Sequence, residues 1–294
     1  MTREQEIYKV TIWGSVCNAL LVAFKFVAGI LGNSSAMVAD AVHSLSDFLT
    51  DILVLVFVRI SAKPQDKDHD YGHGKYETIA SFIIALGLLA VAIGIIVEGA
   101  KKFALWLKGG DLAAPGQIAL WAALVSIVMK ELLFQYTVRR GKAIESQALV
   151  TNAWHHRSDA LSSIGAAIGI GGALLLGERW TVLDPIAGII VGAMLVKTSI
   201  DLVRGSMADL TEGSLPEETE QEILQIIRSV PDVIDPHNLR TRRIGNQIAI
   251  EVHVRMKGDT PLQQAHEKAS LIEHQLRDRF GKHTHVNVHM EPVK

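Results

Sequence analysis

Six hydrophobic runs dominate the sequence up to about residue 204, and they limit the possible folds more than any other feature. A helix needs roughly 20 mostly apolar residues to cross the hydrocarbon core of a bilayer, and each run has about that length. We place the runs at about 9–31, 35–60, 77–103, 114–137, 147–176 and 182–204. The sequence therefore predicts a membrane domain of six transmembrane helices.

The composition indicates that a water-soluble part accompanies this membrane domain. Of the 294 residues, 49% are hydrophobic and 20% are charged, a combination that fits a membrane part joined to a soluble part. The net charge is −2 and the sequence has no basic cluster, so we expect no nucleic-acid partner. The first run lacks an obvious small-residue cleavage site, and we interpret it as a retained span.

The soluble segment follows Gly205 and has its own pattern of helices and strands. Pro216 and the acidic residues after it favour a helix start, and Gly245-Asn246 predicts a turn between two strands. The alternation in the second strand places Ile248, Ile250, Val252 and Val254 on one face. The predicted elements are a helix at about 215–229, strands at 239–244 and 247–256, a helix at 261–280 and a strand at 286–290. This order predicts an α+β domain of the ferredoxin-like αββαβ type. We divide the chain into a transmembrane domain, 1–205, and a cytoplasmic domain, 206–294.

Lysine and arginine residues near the ends of the spans determine the predicted orientation, because cytoplasmic loops carry an excess of them. The side that holds both termini carries more of these residues than the side that holds the loop between spans three and four. Lys101, Lys102 and Lys108 of that loop reduce the difference without reversing it. We therefore expect both termini to lie in the cytoplasm.

The second span carries ionisable residues on one face. His43 and Asp47 are four residues apart, with Asp40 one turn earlier, and residues four apart share a face of a helix. His155 and Asp159 repeat the spacing in the fifth span. An ionisable side chain at the bilayer centre costs about 2.5–3.5 kcal/mol on insertion scales, so such a face indicates a protein interior or a water-filled path. Both pairs fall near the middle of the membrane, where they can meet.

Two imidazoles and two carboxylates make a complete tetrahedral ligand set for a divalent ion such as Zn²⁺. The single cysteine, Cys17, excludes a thiolate cluster. A closed site of four ligands suits transport better than hydrolysis, because a catalytic zinc keeps a position open for water. The sequence also lacks the His-Glu-x-x-His motif of a zinc hydrolase. Imidazole binds metal only when neutral and carboxylate only when ionised, so protons and metal compete for the site, which predicts an exchange of the two.

Two further stretches are distinctive, Tyr-Gly-His-Gly-Lys-Tyr-Glu at 71–77 and His-Asn-Leu-Arg-Thr-Arg at 237–242. With the six spans and the two His-x-x-x-Asp pairs, they make the sequence resemble the cation diffusion facilitator family over essentially its whole length, and in particular its bacterial zinc/proton antiporters. The resemblance implies a transport site formed by His43, Asp47, His155 and Asp159. The sequence departs from bacterial members that have an aspartate at the position of His43. Its set resembles the zinc-preferring members, and an imidazole in place of a carboxylate disfavours harder ions such as manganese.

The resemblance implies two further metal sites and one salt bridge. A cytoplasmic loop site would use Asp66, His69 and His73, residue types that also make a weak zinc site plausible on chemical grounds, although a merely solvated polar loop is the alternative. The cytoplasmic domain would hold a regulatory centre at a dimer interface. Its ligands would be His237, His253, His266, His289 and Glu291. A salt bridge between Lys75 and Asp209 would interlock the dimer next to the membrane.

These features together predict a homodimeric exporter in the lipid bilayer of the inner membrane, a transporter rather than an enzyme, that moves Zn²⁺ from cytoplasm to periplasm in exchange for H⁺. Zinc bound to the cytoplasmic domain would tighten the dimer and favour transport. Two alternatives stay open, namely the same fold transporting Fe²⁺, Mn²⁺ or Co²⁺, and a non-transporting metal-sensing scaffold. The sequence assigns no role to Lys25, Lys130, Lys197, His274, His283 and His285.

Overall fold

The computed structural model describes the backbone of residues 3–61, 63, 65–143, 147–245 and 247–293. Within these ranges it describes the side chains except those of residues 3–8, 50–61, 147–152, 155, 156 and 158. The described residues form six long helices followed by a domain of helices and sheet, so the predicted fold class is confirmed.

The six long helices coincide with the six predicted spans. They are α1 (Arg3–Leu31), α2 (Ser35–Ser61), α3 (Lys75–Leu107), α4 (Gln117–Ala143), α5 (Gln147–Leu175) and α6 (Leu183–Leu210). Within the described residues, four helical stretches are long and apolar enough to cross a membrane, and they correspond to α1, α3, α4 and α6. Helices α2 and α5 are not among the four, and these two helices carry the His-x-x-x-Asp pairs.

A carboxylate from another helix fixes the beginning of α2. Asp184, in the first turn of α6, accepts hydrogen bonds from Ser34 Oγ at 2.5 Å and from the backbone N–H groups of Ser35 at 2.7 Å and Ala36 at 3.3 Å. The first N–H groups of a helix have no partner within the helix and need such acceptors. Asp184 thereby positions the end of α2 that leads to His43.

Small side chains bring the membrane helices close together. One buried cluster joins α1, α2, α4, α5 and α6, and its members are Ala28, Ala36, Met37, Ala119, Ala122, Ala123, Ala166, Ile170 and Ala187. In lipid, helix association depends on close van der Waals packing, which small residues permit. At Gly169 of α5, an added Cβ would lie only 2.3 Å from the Cβ of Ala187. The approach of α5 to α6 therefore requires a glycine at that position.

After α6 the chain forms a three-stranded sheet and two helices. The elements are α7 (Glu217–Arg228), β1 (Ile234–Ile244), β2 (Gln247–Met256), α8 (Leu262–Phe280) and β3 (His285–Pro292), which is the predicted αββαβ order. Strand β2 is central, with β1 antiparallel and β3 parallel to it. The predicted apolar face of β2, Ile248, Ile250, Val252 and Val254, packs into a core with residues of α7 and α8 such as Ile223 and Ile272.

Strand β1 begins at Ile234, five residues before the predicted start at 239. Its register with β2 shifts on both sides of His237, and Asp235 and Asn238 have positive φ angles of 48° and 49°. Pro236 also removes a backbone donor. Irregular strand segments of this kind break the alternation on which strand prediction depends. As a result His237 lies inside the sheet, opposite His253.

The chain packs into two compact units, and each unit is made of two separate stretches of the sequence. The helical unit contains Met1–Ile52 and Ile84–Asp201, and the mixed unit contains Leu53–Ile83 and Leu202–Lys294. The mixed unit thus combines the sheet domain with the α2–α3 loop and with the parts of α2, α3 and α6 nearest to it. The predicted domain boundary between residues 205 and 206 stays a prediction.

Candidate metal centres

Helices α2 and α5 bring three potential metal ligands together in the helical unit. His43 and Asp47 lie one turn apart on α2, and Asp159 lies on α5. One ligand atom of each residue lies within 4.8 Å of those of the other two. Zinc takes nitrogen and oxygen ligands at about 2.0–2.2 Å, so small side-chain movements would place all three around one ion. The fourth predicted ligand, His155, has its side chain outside the described residues.

The surroundings of these three residues suit a cation that has lost its water. Asp159 is 7% exposed, and His43 and Asp47 are half-buried. Within the described residues, the buried Nδ1 of His43 has no hydrogen-bond partner. A buried polar atom without a partner is unfavourable and calls for an explanation. A metal ion bound at this nitrogen would supply one.

Asp40, which shares the face of His43 in the sequence, has a different partner. Its carboxylate lies 2.7 Å from Lys25 Nζ, and both side chains are 0% exposed. It also accepts hydrogen bonds from Ser162 Oγ at 2.8 Å and Ser163 Oγ at 2.9 Å, both on α5. This buried network joins α1, α2 and α5 within about one turn of the candidate ligands. Asp40 thus balances the charge of Lys25 and connects three helices.

The loop between α2 and α3 forms a second cluster, which belongs to the mixed unit. Asp66, His69 and His73 each offer a ligand atom within 4.8 Å of the others. His69 Nδ1 lies 3.2 Å from one carboxylate oxygen of Asp66, and His73 Nε2 lies 3.2 Å from the other. The two imidazole rings are 4.4 Å apart, and Tyr76 packs against both. The structure therefore brings together the three residues predicted for the loop.

Hydrogen bonds within the loop prepare Asp66 for a cation. Its Oδ1 accepts the backbone N–H groups of Asp68 at 3.0 Å and His69 at 2.8 Å. Burial acts to raise the pKa of Asp66, but these bonds and the neighbouring His69 and His73 rings together hold its pKa below the ordinary value. The carboxylate is therefore ionised at neutral pH, as metal binding requires. The buried Nδ1 of His73 has no hydrogen-bond partner in the described part of the chain.

A third cluster lies across the three strands of the sheet. His237 of β1 is in register with His253 of β2, and His253 is in register with His289 of β3. Side chains at paired positions lie next to each other on one face of a sheet. The ring centroids of His237 and His253 are 5.6 Å apart, and those of His253 and His289 are 4.6 Å apart. Glu291, two residues after His289, projects from the same face.

The carboxylate of Glu291 connects two of these histidines. Its Oε1 lies 3.0 Å from His253 Nδ1, and its Oε2 lies 3.4 Å from His237 Nε2. The ligand atoms of the three residues fall within 4.8 Å of one another. The hydrogen bond with His253 lowers the pKa of Glu291, against an opposing effect of burial, and the positive potential of the surrounding histidines adds to the lowering. Glu291 is therefore available as an anionic ligand.

Neighbouring polar groups orient the imidazole rings of His237 and His253. His237 Nδ1 lies 2.8 Å from the carbonyl oxygen of Asp235, so it donates there and leaves Nε2 directed at Glu291. The side-chain amide of Asn238 lies 3.2 Å from His253 Nε2. Metal-binding histidines are commonly held by such contacts at their second nitrogen. Both Asp235 and Asn238 belong to the irregular part of β1, which gives that irregularity a role in the site.

Two residues predicted for this centre are not among the three whose ligand atoms converge. His289 is exposed, and its Nε2 lies 3.8 Å from Glu291 Oε1. His266 lies on α8, whereas the ligand atoms of the group come from β1, β2 and β3. Their roles as ligands stay predictions.

Next to the membrane helices, Lys75 pairs with Glu212 of the same chain. Lys75 Nζ contacts one carboxylate oxygen of Glu212, and Arg242 Nε lies 3.0 Å from the other. The guanidinium of Arg242 also lies over the ring of Tyr71, 5.1 Å from its centroid. Glu212 is three positions after Asp209, the partner that the family resemblance implied. A pair between Lys75 and Asp209 across a dimer stays a prediction.

Comparisons with known proteins match both the helical part of the chain and the domain that follows it. Residues 11–211 match the cation efflux transmembrane domain, and residues 215–293 match the cytoplasmic domain of cation efflux proteins. The manganese efflux system protein MneP of Bacillus subtilis is 34% identical over 294 residues, which cover 99% of this chain and 97% of MneP. Metal tolerance protein C1 of Arabidopsis thaliana is 33% identical over 301 residues, which cover 98% of this chain and 63% of that protein.

Among solved structures, CzrB in its Zn form is 31% identical and matches 27% of this chain and 90% of the CzrB chain, with a TM-score of 0.24. The two family matches and the end-to-end similarity to MneP cover both the helices and the sheet domain. The chain therefore belongs to the cation efflux family, also called the cation diffusion facilitators, and is a membrane transporter that exports divalent metal cations.

Proposed function

We propose that this transporter exports Zn²⁺ in exchange for H⁺, with His43, Asp47, His155 and Asp159 as its transport site. The observation that carries the proposal is the convergence of His43, Asp47 and Asp159 within 4.8 Å in two membrane helices. His155 lies one turn before Asp159 on α5, and its imidazole would complete a tetrahedral set.

The type and charge of these ligands favour zinc. Two carboxylates carry two negative charges, which balance a divalent ion in a low-dielectric setting. Imidazole suits zinc, whereas manganese and other harder ions prefer carboxylate, carbonyl and water oxygens. In this proposal His43 is the residue that distinguishes zinc from the harder ions.

Proton coupling follows from the same side chains. Histidine must be neutral and aspartate ionised to bind the ion, so proton uptake by the site opposes metal binding. On the side of lower pH the site gains protons and releases zinc, and on the other side it releases protons and binds zinc. A separate proton pathway is not needed for this exchange.

Zinc binding to the purified full-length protein tests the site. Asp159→Asn removes a charged ligand, so we expect it to bind one Zn²⁺ fewer per protomer than the wild type. Asp111→Asn is the matched control, because Asp111 is exposed in the segment between α3 and α4. Equal zinc stoichiometry in the wild type and Asp159→Asn would overturn the proposed site.

Manganese is the second candidate cargo, because MneP, at 34% identity, is named a manganese efflux protein. Transport assays with both ions in competition separate the two candidates. For zinc as the cargo, Zn²⁺ suppresses Mn²⁺ transport in the wild type, and His43→Asp allows more Mn²⁺ transport because a third carboxylate suits the harder ion. Preferential Mn²⁺ transport by the wild type would establish manganese as the cargo.

We further propose that the protein is a homodimer in the inner membrane, with both termini in the cytoplasm and zinc as a regulator of its sheet domain. The family that residues 215–293 match, ZT_dimer, is named for a dimer. The cluster of His237, His253 and Glu291 offers two imidazoles and an ionised carboxylate, which fit Zn²⁺. Zinc bound there would tighten the dimer and favour transport.

Dimer dissociation of the purified transporter, measured with and without zinc, tests this regulation. We expect zinc to slow dissociation in the wild type and to lose that effect in His253→Ala. The exposed His283 gives a matched control, because His283→Ala removes an imidazole from the same domain but away from the cluster. A zinc effect that survives in His253→Ala would exclude this cluster as the regulatory site.

A further inference from the structure

Among the described side chains of the helical unit, the lysines Lys25 and Lys130 are buried, and they differ in their hydrogen bonds. Lys25 is 0% exposed, and its ammonium contacts Asp40, Ser44 and Ser163 at 2.7–2.9 Å. Lys130 of α4 is 3% exposed, and among the described residues its Nζ has no hydrogen-bond partner. Burial of an ammonium without such partners is unfavourable. The position of Lys130 therefore needs a reason other than packing.

Lys130 lies beside the candidate transport site. Its Nζ is 3.9 Å from Oδ2 of Asp159, the carboxylate that lies with His43 and Asp47. This distance is longer than a hydrogen bond but within the range of an ion pair. Ser126, one turn earlier on α4, is also buried, and its hydroxyl has no partner in the described part of the chain. Helix α4 thus contributes buried polar groups that hydrogen bonding within the fold does not explain.

Lys130 changes the net charge around the candidate transport site. Lys25 and Asp40 form a neutral pair, so Asp40 adds no net charge to the site. Asp47 and Asp159 together carry two negative charges, and Lys130 reduces the sum to one. Once a divalent ion binds, the two carboxylates are balanced by the ion alone. The ammonium of Lys130 then faces a cation in a medium where like charges repel strongly.

We propose that Lys130 is a tethered cation that competes with the transported metal ion for Asp159. This inference rests on the proposed function, since it requires Asp159 to be a ligand. In the metal-free transporter, Lys130 balances part of the negative charge of the site. When the metal enters, Lys130 opposes it, which lowers the affinity of the site and speeds release of the ion.

Removal of the charge of Lys130 should strengthen binding of the metal ion and slow its release. We expect Lys130→Met to bind Zn²⁺ about tenfold more tightly or better, because a repulsive unit charge close to the ion is gone. In flux assays both KM and kcat fall, since a more tightly held ion leaves more slowly. A merely structural role of Lys130 would instead raise KM or lower kcat with no gain in affinity.

Calorimetric titration of the full-length protein with Zn²⁺ measures this affinity. The titration of the wild type should contain several binding components. The component that is absent in Asp159→Asn belongs to the transport site, and we compare its dissociation constant for Zn²⁺ among the variants. Lys197→Met is the matched control, because Lys197 is an exposed lysine of α6. Lys130→Arg keeps the charge, and Lys130→Gln is a second neutral variant in case Lys130→Met folds poorly.

We expect tighter binding in Lys130→Met and Lys130→Gln, and no tighter binding in Lys130→Arg or Lys197→Met. Unchanged or weaker affinity in both neutral variants, with the Asp159-dependent component still present, would overturn the role of Lys130 and leave the proposed transport site intact. Tighter binding in Lys130→Arg would also overturn it, because the charge would not be the cause. If Asp159→Asn removed no component, the proposed site and this inference would both fail.

Discussion

Lys25 Nζ lies 2.7 Å from Asp40 Oδ2, and neither side chain is exposed to solvent. The pair connects α1 to α2, and hydrogen bonds from Ser162 and Ser163 extend the connection to α5. Helices α2 and α5 are the two that carry the candidate ligands. We infer that the pair holds these helices in the register that brings His43 and Asp159 together.

Lys25→Met should therefore destabilise the transporter, because it leaves the Asp40 carboxylate buried without its countercharge. In soluble proteins the loss of one partner from a buried ion pair costs about 3–5 kcal/mol. We expect a clear fall in the thermal unfolding temperature in detergent, together with weaker zinc binding. The double variant Lys25→Met/Asp40→Asn removes both charges and should recover part of the loss. A double variant no more stable than Lys25→Met would show that the pairing of charges is not the reason.

Asp184→Ala should loosen the beginning of α2. The substitution removes the acceptor for Ser34 Oγ and for the N–H groups of Ser35 and Ala36, and the loss of a helix cap typically costs about 1 kcal/mol or more. We expect a lower unfolding temperature and reduced zinc affinity, because α2 carries His43. Asp201→Ala, at an exposed position of the same helix, is the control. Equal unfolding temperatures for the two variants would contradict the capping role of Asp184.

Regular patterns in the sequence were sufficient to predict much of this fold. The six apolar runs became α1–α6, and the alternation of Ile248, Ile250, Val252 and Val254 correctly identified the buried face of β2. The start of β1 was wrong by five residues, because Pro236 and the positive φ of Asp235 and Asn238 break the alternation. Periodicity describes regular elements only, and those residues form an irregular one.

The sites were harder to predict where a partner is distant in the chain. Spacing on α2 placed Asp40 on the same face as His43, and only the fold shows that Lys25, in another helix, contacts Asp40. The same limit applies to Lys75, whose contact with Glu212 depends on how α3 and the segment after α6 pack within the mixed unit. By contrast, the loop set of Asp66, His69 and His73 is local in sequence and lies together as predicted.

Gly74→Ala should disturb the loop cluster. A Cβ at this position would lie 2.5 Å from the carbonyl oxygen of Ile244, a backbone atom, so the turn that follows His73 must move. We expect the zinc-binding component that depends on Asp66, measured as the part that Asp66→Asn removes, to weaken severalfold. Gly87→Ala is a suitable control, because no atom lies within 4 Å of its added Cβ. An unaltered zinc affinity of the loop cluster in Gly74→Ala would show that the turn tolerates the movement.

His285 should make the stability of the transporter depend on pH. Burial lowers the pKa of His285, and the nearby charges of Arg242 and Arg277 lower it further. The unfolded chain therefore binds a proton at His285 more readily than the folded chain does. The free energy of unfolding has its full value above a pH of about 6.5, where His285 is neutral in both states, and it falls as the pH drops below that value.

His285→Phe keeps an aromatic ring against Tyr71, which packs edge-on to His285 with centroids 5.4 Å apart. The variant should lose less stability than the wild type between about pH 6.5 and 5, as measured by thermal unfolding across that range. Parallel losses in the two proteins would mean that His285 does not contribute to the acid sensitivity.

Zinc flux into proteoliposomes under an imposed pH gradient tests the central claim most directly. We expect gradient-driven flux in the wild type and in Asp111→Asn, and none in Asp47→Ala or Asp159→Ala, because each of these two removes a charged ligand of the proposed transport site. Undiminished flux in Asp47→Ala and Asp159→Ala would contradict the assignment of the site. No flux in the wild type, with zinc still bound by the sheet domain, would contradict transport of zinc and favour a metal-sensing scaffold.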